Sequence, residues 1–89
     1  MYYDEYEISM VRETNICRRI IKRLKTDLLK REHQYGMTTE QLLSGSGGGL
    51  SPDGKREMER WRDDHRQLHE WEERLHAYEE ALAMVKRQR

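Results

Sequence analysis

The chain has 89 residues, with 17 Lys and Arg balanced by 17 Asp and Glu, 35% hydrophobic residues and 38% charged ones. That length admits one small domain with little to bury, and no apolar run approaches the roughly 20 residues of a membrane span or suggests a signal-peptide core. A formal net charge of zero gives no global pull towards nucleic acid or membrane, while a single Cys excludes an internal disulfide framework and fits a reducing cytoplasm.

The first element is a long charged helix from about residue 3 to residue 35. Met10, Thr14, Cys17, Ile21, Leu24, Leu28, Arg31 and Tyr35 step by alternating fours and threes, which is a heptad seam and excludes a strand. Tyr6, Val11, Ile16 and Ile20 widen its apolar face. Asp4, Glu5 and Glu7 stand at the positive end of the helix dipole, and Lys30 and Arg31 at the negative end. Gly36 supplies a left-handed stop with Met37 as its hydrophobic contact. Thr38 then caps a short helical turn over residues 39–43, with Gln41 completing a capping box. The run Ser-Gly-Ser-Gly-Gly-Gly over 44–49 reads as a flexible linker. A cloning scar has the same composition, but the flanking Leu42, Leu43 and Leu50 argue for a natural loop.

A second long helix opens at Ser51-Pro52-Asp53: Ser caps, Pro occupies a position that needs no amide donor, and Asp meets the helix dipole. It runs over about 52–88 without a breaker and ends on Lys86, Arg87 and Arg89. Leu68, Trp71, Leu75, Tyr78, Leu82 and Val85 form a second heptad seam, extended upstream through Met58, Trp61 and His65 with a small phase slip.

The expected fold is therefore all-α, an antiparallel two-helix hairpin forming a single domain over 1–89. A register in which paired residue numbers total about 92 sets Met10 on Leu82, Thr14 on Tyr78, Cys17 on Leu75, Ile21 on Trp71 and Leu24 on Leu68. The same register lays Arg31 on Trp61 as a cation–π contact and Tyr35 near Met58 or Glu57. Residues 18–31 carry a net charge of +6 and the facing residues 61–74 a net of −2, a bias that favours this orientation. Two helices bury only one seam, whereas both faces here are wider. The expected completion is a homodimer forming a four-helix bundle, or a different protein docked on the same face. The residues assigned to core and interface are Tyr6, Met10, Ile16, Ile20, Ile21, Leu24 and Leu28 on the first helix. On the second they are Trp61, Leu68, Trp71, Leu75, Tyr78 and Leu82.

No pattern predicts catalysis, so the chain is expected not to be an enzyme and to carry no cofactor. His65, His69, Glu72 and His76 fall within about 60° of one helix surface at ~100° per residue and are the only candidate metal ligands. Arg66 stands where a zincin helix needs Glu, and a solvated flank explains the stripe as well, so no metal site is assigned. Cys17 lies in the seam as a buried thiol. Asp63-Asp64 and Glu72-Glu73 diverge around the helix and make poor acid–base pairs. The Gly-rich run before Lys55 lacks the Gly-Lys-Ser/Thr of a phosphate loop. The basic residues 18–31 are spread around their helix and largely face the acidic second helix, so neither nucleic acid nor membrane is the expected partner.

Tyr35-Gly36-Met37-Thr38-Thr39-Glu40, then Trp61 and Leu68-His69-Glu70-Trp71-Glu72-Glu73-Arg74-Leu75, resemble small prokaryotic helical-hairpin proteins. These carry a Y-G-M-[ST]-x-E turn, a variable loop and a second helix bearing Trp, Leu and Glu. The likeness covers about residues 18–82 and departs in the loop, which is often longer and acidic or aromatic in those proteins. Several lie beside toxin genes and act as antitoxins, so the resemblance implies a cytoplasmic, non-catalytic protein-interaction module whose cognate partner is a toxin. The alternative is a nucleic-acid-associated dimer using the basic face of the first helix, or a structural protein.

Overall fold

A computed structural model of the chain describes residues 5–45 and 52–88. Three helices follow in order: α1 (Glu5–Tyr35), α2 (Thr39–Leu43) and α3 (Pro52–Arg87). The two long helices pack side by side as an antiparallel hairpin about 60 Å long and 18 Å across, and α2 folds onto α3 at the closed end. The hairpin expected from the apolar spacing is the fold observed. The Ser51 cap, the side chain of Asp53, most of the Gly/Ser run and the first four residues lie outside the described residues.

The local stops work as their chemistry requires. Gly36 takes φ +64°, and the Met37 amide donates to the Glu32 carbonyl at 3.2 Å, closing α1 with a six-to-one bond. Thr38 is extended, its hydroxyl accepts from the Gln41 amide at 3.1 Å, and the Gln41 side chain accepts from the Thr38 amide at 2.9 Å. The chain therefore reverses direction with its exposed backbone donors satisfied by local partners.

Cys17, Ile21 and Leu28 of α1, Leu42 of α2, and Met58, Trp61 and Leu68 of α3 form the buried core, with Met37 packed against it. Trp61 and Leu42 have no solvent exposure at all. The indole Nε1 of Trp61 donates to Thr39 Oγ1 at 2.9 Å, and the Tyr35 ring stacks on Trp61 at 5.7 Å between centroids. Thr39 in turn donates its amide to Glu32 Oε2 at 2.6 Å, tying α2 to α1. A buried Trp needs an acceptor for its N–H, and the capped turn delivers one. Thr14, also buried, donates its hydroxyl to the Met10 carbonyl at 2.7 Å, which makes a hydroxyl tolerable at a seam position.

The helix register corrects the sequence expectation by about one turn. Arg18 pairs with Glu79, Lys25 with Glu72, Arg31 with Asp64, and Tyr35 stacks on Trp61. The residue numbers of these pairs total 95 to 97 rather than about 92. Leu28 thus stands level with Leu68 and Ile21 with Leu75. Trp61 receives the Tyr35 ring in place of an Arg31 cation, and Arg31 Nη1 instead approaches Asp64 Oδ2 to 2.7 Å, an ion pair without an aligned hydrogen bond. A heptad stripe presents nearly the same face after a slip of three or four residues, so periodicity alone tolerates this error. The contacts of Trp61 with Tyr35 and Thr39 break that degeneracy.

Candidate interaction face

Burial divides the hairpin lengthwise. Up to Leu68, α3 sinks Met58, Trp61 and Leu68 into the core; beyond Leu68, none of its described side chains is buried. Trp71, Leu75, Tyr78, Leu82 and Val85 all remain partly exposed. The facing part of α1 still buries Met10, Thr14, Cys17 and Ile21. In this open half α3 covers α1, while nothing among the described residues covers the outer edges of the large α3 aromatics.

The two sides of the open half differ chemically. Arg18 and Lys25 each follow a seam residue by one position, so they project on one side and meet Glu79 and Glu72 at 3.4 and 3.8 Å. Ile20 precedes the seam residue Ile21, and Ile16 lies one turn away from it, so both project on the opposite side. Trp71, Tyr78 and Ala81 of α3 border that second side, all partly exposed. The Arg74 guanidinium lies 4.4 Å from the Trp71 ring centroid, covering one face of the indole. One flank thus carries the ion pairs, with Val11 also 44% exposed on it, and the other is lined by Ile16, Ile20, Trp71 and Tyr78.

The residues assigned to core and interface from the sequence separate accordingly. Met10, Ile21, Leu28, Trp61 and Leu68 are buried inside the hairpin. Leu24, Trp71, Leu75, Tyr78 and Leu82 are half-buried at its margin, as is Ile20. Ile16 and Tyr6 are exposed at 37% and 56%. Thr39, Asp64 and Leu42 escaped the sequence reading although they anchor the closed end. The available signal was the turn itself: a Trp bound for burial needs an acceptor, and Thr39 sits in the capped turn. Glu7 also escaped it, because a first-turn acid reads as solvated; it is only 2% exposed.

The chemistry-bearing residues do not gather. His69 Nε2 contacts Glu73 at 3.1 Å and His76 Nε2 contacts Glu80 at 3.0 Å, each along its own helix, while Glu72 turns to Lys25. His65 is partly buried beside the core. Among the described residues, no group of three or more His, Cys, Asp or Glu side chains is placed to hold a metal ion. Cys17 is a free thiol with 1% exposure. Burial pushes its pKa above the ordinary value; nearby Arg74 opposes this, Glu13 adds to it, and a hydrogen bond with the backbone opposes it. That arrangement keeps the sulfur protonated and hidden, the reverse of an activated nucleophile.

No protein family, curated protein or solved structure matches the chain. No helix of the described residues is long and apolar enough to cross a membrane.

Proposed function

We propose that the chain is a non-catalytic protein-interaction module that docks through the apolar flank of its open half. The observation carrying this reading is the partial exposure of Trp71 and Tyr78 on the same flank as Ile16 and Ile20, opposite a flank closed by ion pairs. Partly exposed aromatics bordered by charge are a common make-up of a protein-binding surface, and they leave some burial energy unused until a partner arrives. The sequence resemblance sharpens the proposal to an antitoxin, which would lay this flank over the functional surface of a toxin encoded beside it. A hidden, protonated Cys17 is compatible with a cytoplasmic setting.

The test is calorimetric titration of the neighbouring gene product with the wild-type chain and with Ile16→Glu. Ile16 is already 37% exposed, so this change leaves the hairpin folded, which far-ultraviolet dichroism checks. The expected result is binding that weakens at least about tenfold in the variant, as for a charge placed in an apolar contact. Equal binding by both chains would remove the apolar flank from the function. The competing reading, a nucleic-acid-associated dimer, draws on Arg12, Arg19 and Arg23, which are exposed and have no ion-pair partner among the described residues. It predicts affinity for DNA or RNA that falls steeply with salt, measurable by fluorescence anisotropy.

A further inference from the structure

We propose that the outer face of α1 binds the phosphate backbone of double-stranded DNA, through a surface separate from the apolar flank. This face lies opposite the buried seam. Arg12 and Arg19 stand on its midline at a seven-residue interval, with Lys22 to one side and Arg23 and Lys30 to the other. All five are exposed and form no ion pair among the described residues.

The acids of the chain are kept away from this face. Glu13, Asp27 and Glu32 each neighbour a seam residue and are partly buried, so none of them lies on it. Residues 18–31 hold seven basic side chains, and only Arg18, Lys25 and Arg31 turn to acids of α3. On α3 itself the cations Arg60 and Arg66 are engaged locally by Glu57, Asp63 and Glu70. Glu73 and Glu80 lie on the outer face of α3, on the far side of a hairpin 18 Å across. That thickness exceeds the screening length of about 8–10 Å at physiological salt, so those carboxylates do not cancel the attraction at α1. A neutral chain therefore presents one cationic ridge.

Shape and composition select duplex DNA among the polyanions. From Arg12 to Lys30 the ridge is about 27 Å long at ~1.5 Å per residue. A helix with its side chains is about 10–12 Å across, which the roughly 12 Å major groove of B-DNA admits. The major groove of duplex RNA is too deep and narrow for side chains to enter. Single strands are held by stacking on aromatic rings, and none stands between Arg12 and Lys30. Insertion into a membrane surface needs a broad apolar face, but that of α1 is packed against α3. In contrast to the competing reading above, this surface needs no dimer. The apolar flank lies about a quarter turn around α1 from it, so DNA and a protein partner can be held at once.

Fluorescence anisotropy of a labelled random-sequence duplex of about 20 base pairs tests the proposal, read between about 50 and 200 mM salt. Micromolar affinity is expected at the lower salt. Four or five phosphate contacts predict a log–log slope of about −3.5 to −4.5, a loss of about 150- to 500-fold across that range. Arg19→Glu combined with Arg23→Glu should weaken binding at least about tenfold and flatten the slope by about 2. Arg19→Lys with Arg23→Lys should bind as the native chain does. Arg56→Glu with Arg60→Glu makes the same change in net charge on α3 and should cost less than about threefold. Far-ultraviolet dichroism checks that every variant stays helical. A slope near zero, or equal losses from the two double reversals, overturns the outer face of α1 as a DNA surface. Tighter binding to duplex RNA, to an oligothymidylate strand or to mixed phosphatidylserine–phosphatidylcholine vesicles overturns the assignment to duplex DNA.

Discussion

The closed and open halves of one hairpin use the same heptad pattern and reach different states of burial. At the closed end a third element is present: α2 brings Leu42 and Thr39 onto Trp61, Tyr35 stacks on the ring, and Trp61 loses all solvent exposure. In the open half α1 and α3 have only each other, and Trp71 remains partly exposed with Arg74 over one face. Two Trp residues ten positions apart on one helix therefore have different roles. The first is the anchor of the fold, while the second is partly a surface. The difference shows how little a two-helix seam can hide: complete burial of a ring that large requires a third neighbour, from the same chain or another.

The sharpest way to break this comparison is to truncate both Trp residues in turn. Trp61→Ala removes a fully buried ring and is expected to cost about 3–5 kcal/mol, enough to abolish a cooperative urea transition in a domain this small. Trp71→Ala, measured at low micromolar concentration, should cost less, about 1–2 kcal/mol, because part of its surface stays in water. Equal losses in the two unfolding titrations would show that the open half is as well sealed as the closed one.

Smaller changes dissect the closed end. Thr39→Val keeps the shape but leaves the buried Trp61 N–H without its acceptor, and is expected to cost about 1–2 kcal/mol in the same titration. Gly36→Ala forces a Cβ into left-handed backbone at φ +64° and should cost about 1–2 kcal/mol, although the added methyl itself meets open space. A null effect from Thr39→Val would remove the indole–hydroxyl bond from the account of how α2 is held.

Cys17 reports on the seam of the open half through pH. Its folded pKa is raised from the ordinary 9.0, so the native state keeps its proton where the unfolded chain begins to lose one. The contribution is full below about 9.0 and is lost as pH rises through the raised folded value. The urea midpoint of the native chain should therefore fall relative to Cys17→Ala above that pH. A widening gap in favour of the native chain would contradict the burial of the thiol. The smallest effects belong to the ion-paired flank. Arg18→Ala and Lys25→Ala should each shift stability by less than about 0.5 kcal/mol, vanishing in molar salt, because those pairs are exposed.

Much of this architecture could be read directly from the residues. The alternating steps of three and four announced both long helices, Gly36 and Met37 marked the end of the first, and Thr38 with Gln41 marked the short turn that follows. These signals are legible because they are local: a cap or a left-handed stop acts within a few residues of itself. Separating core from surface was harder. Ile16 and Ile20 look as apolar as Ile21, yet only Ile21 is buried, since exposure depends on how far around the helix its neighbours reach. The apolar flank was visible as excess width in the stripe, while its restriction to the open half was not.

The chain by itself determines two antiparallel helices, their stops and their charge bias, because each follows from side-chain spacing and short-range backbone chemistry. Only the tertiary structure decides how far the helices slide past each other. A heptad repeat is nearly indifferent to a slip of one turn, and it would have accepted Arg31 on Trp61. Among the described residues, α2 with its hydroxyl at the Trp61 indole is an aperiodic device that removes that freedom. In doing so it sets Arg18 against Glu79 and leaves Trp71 and Tyr78 at the margin, where a second protein can reach them.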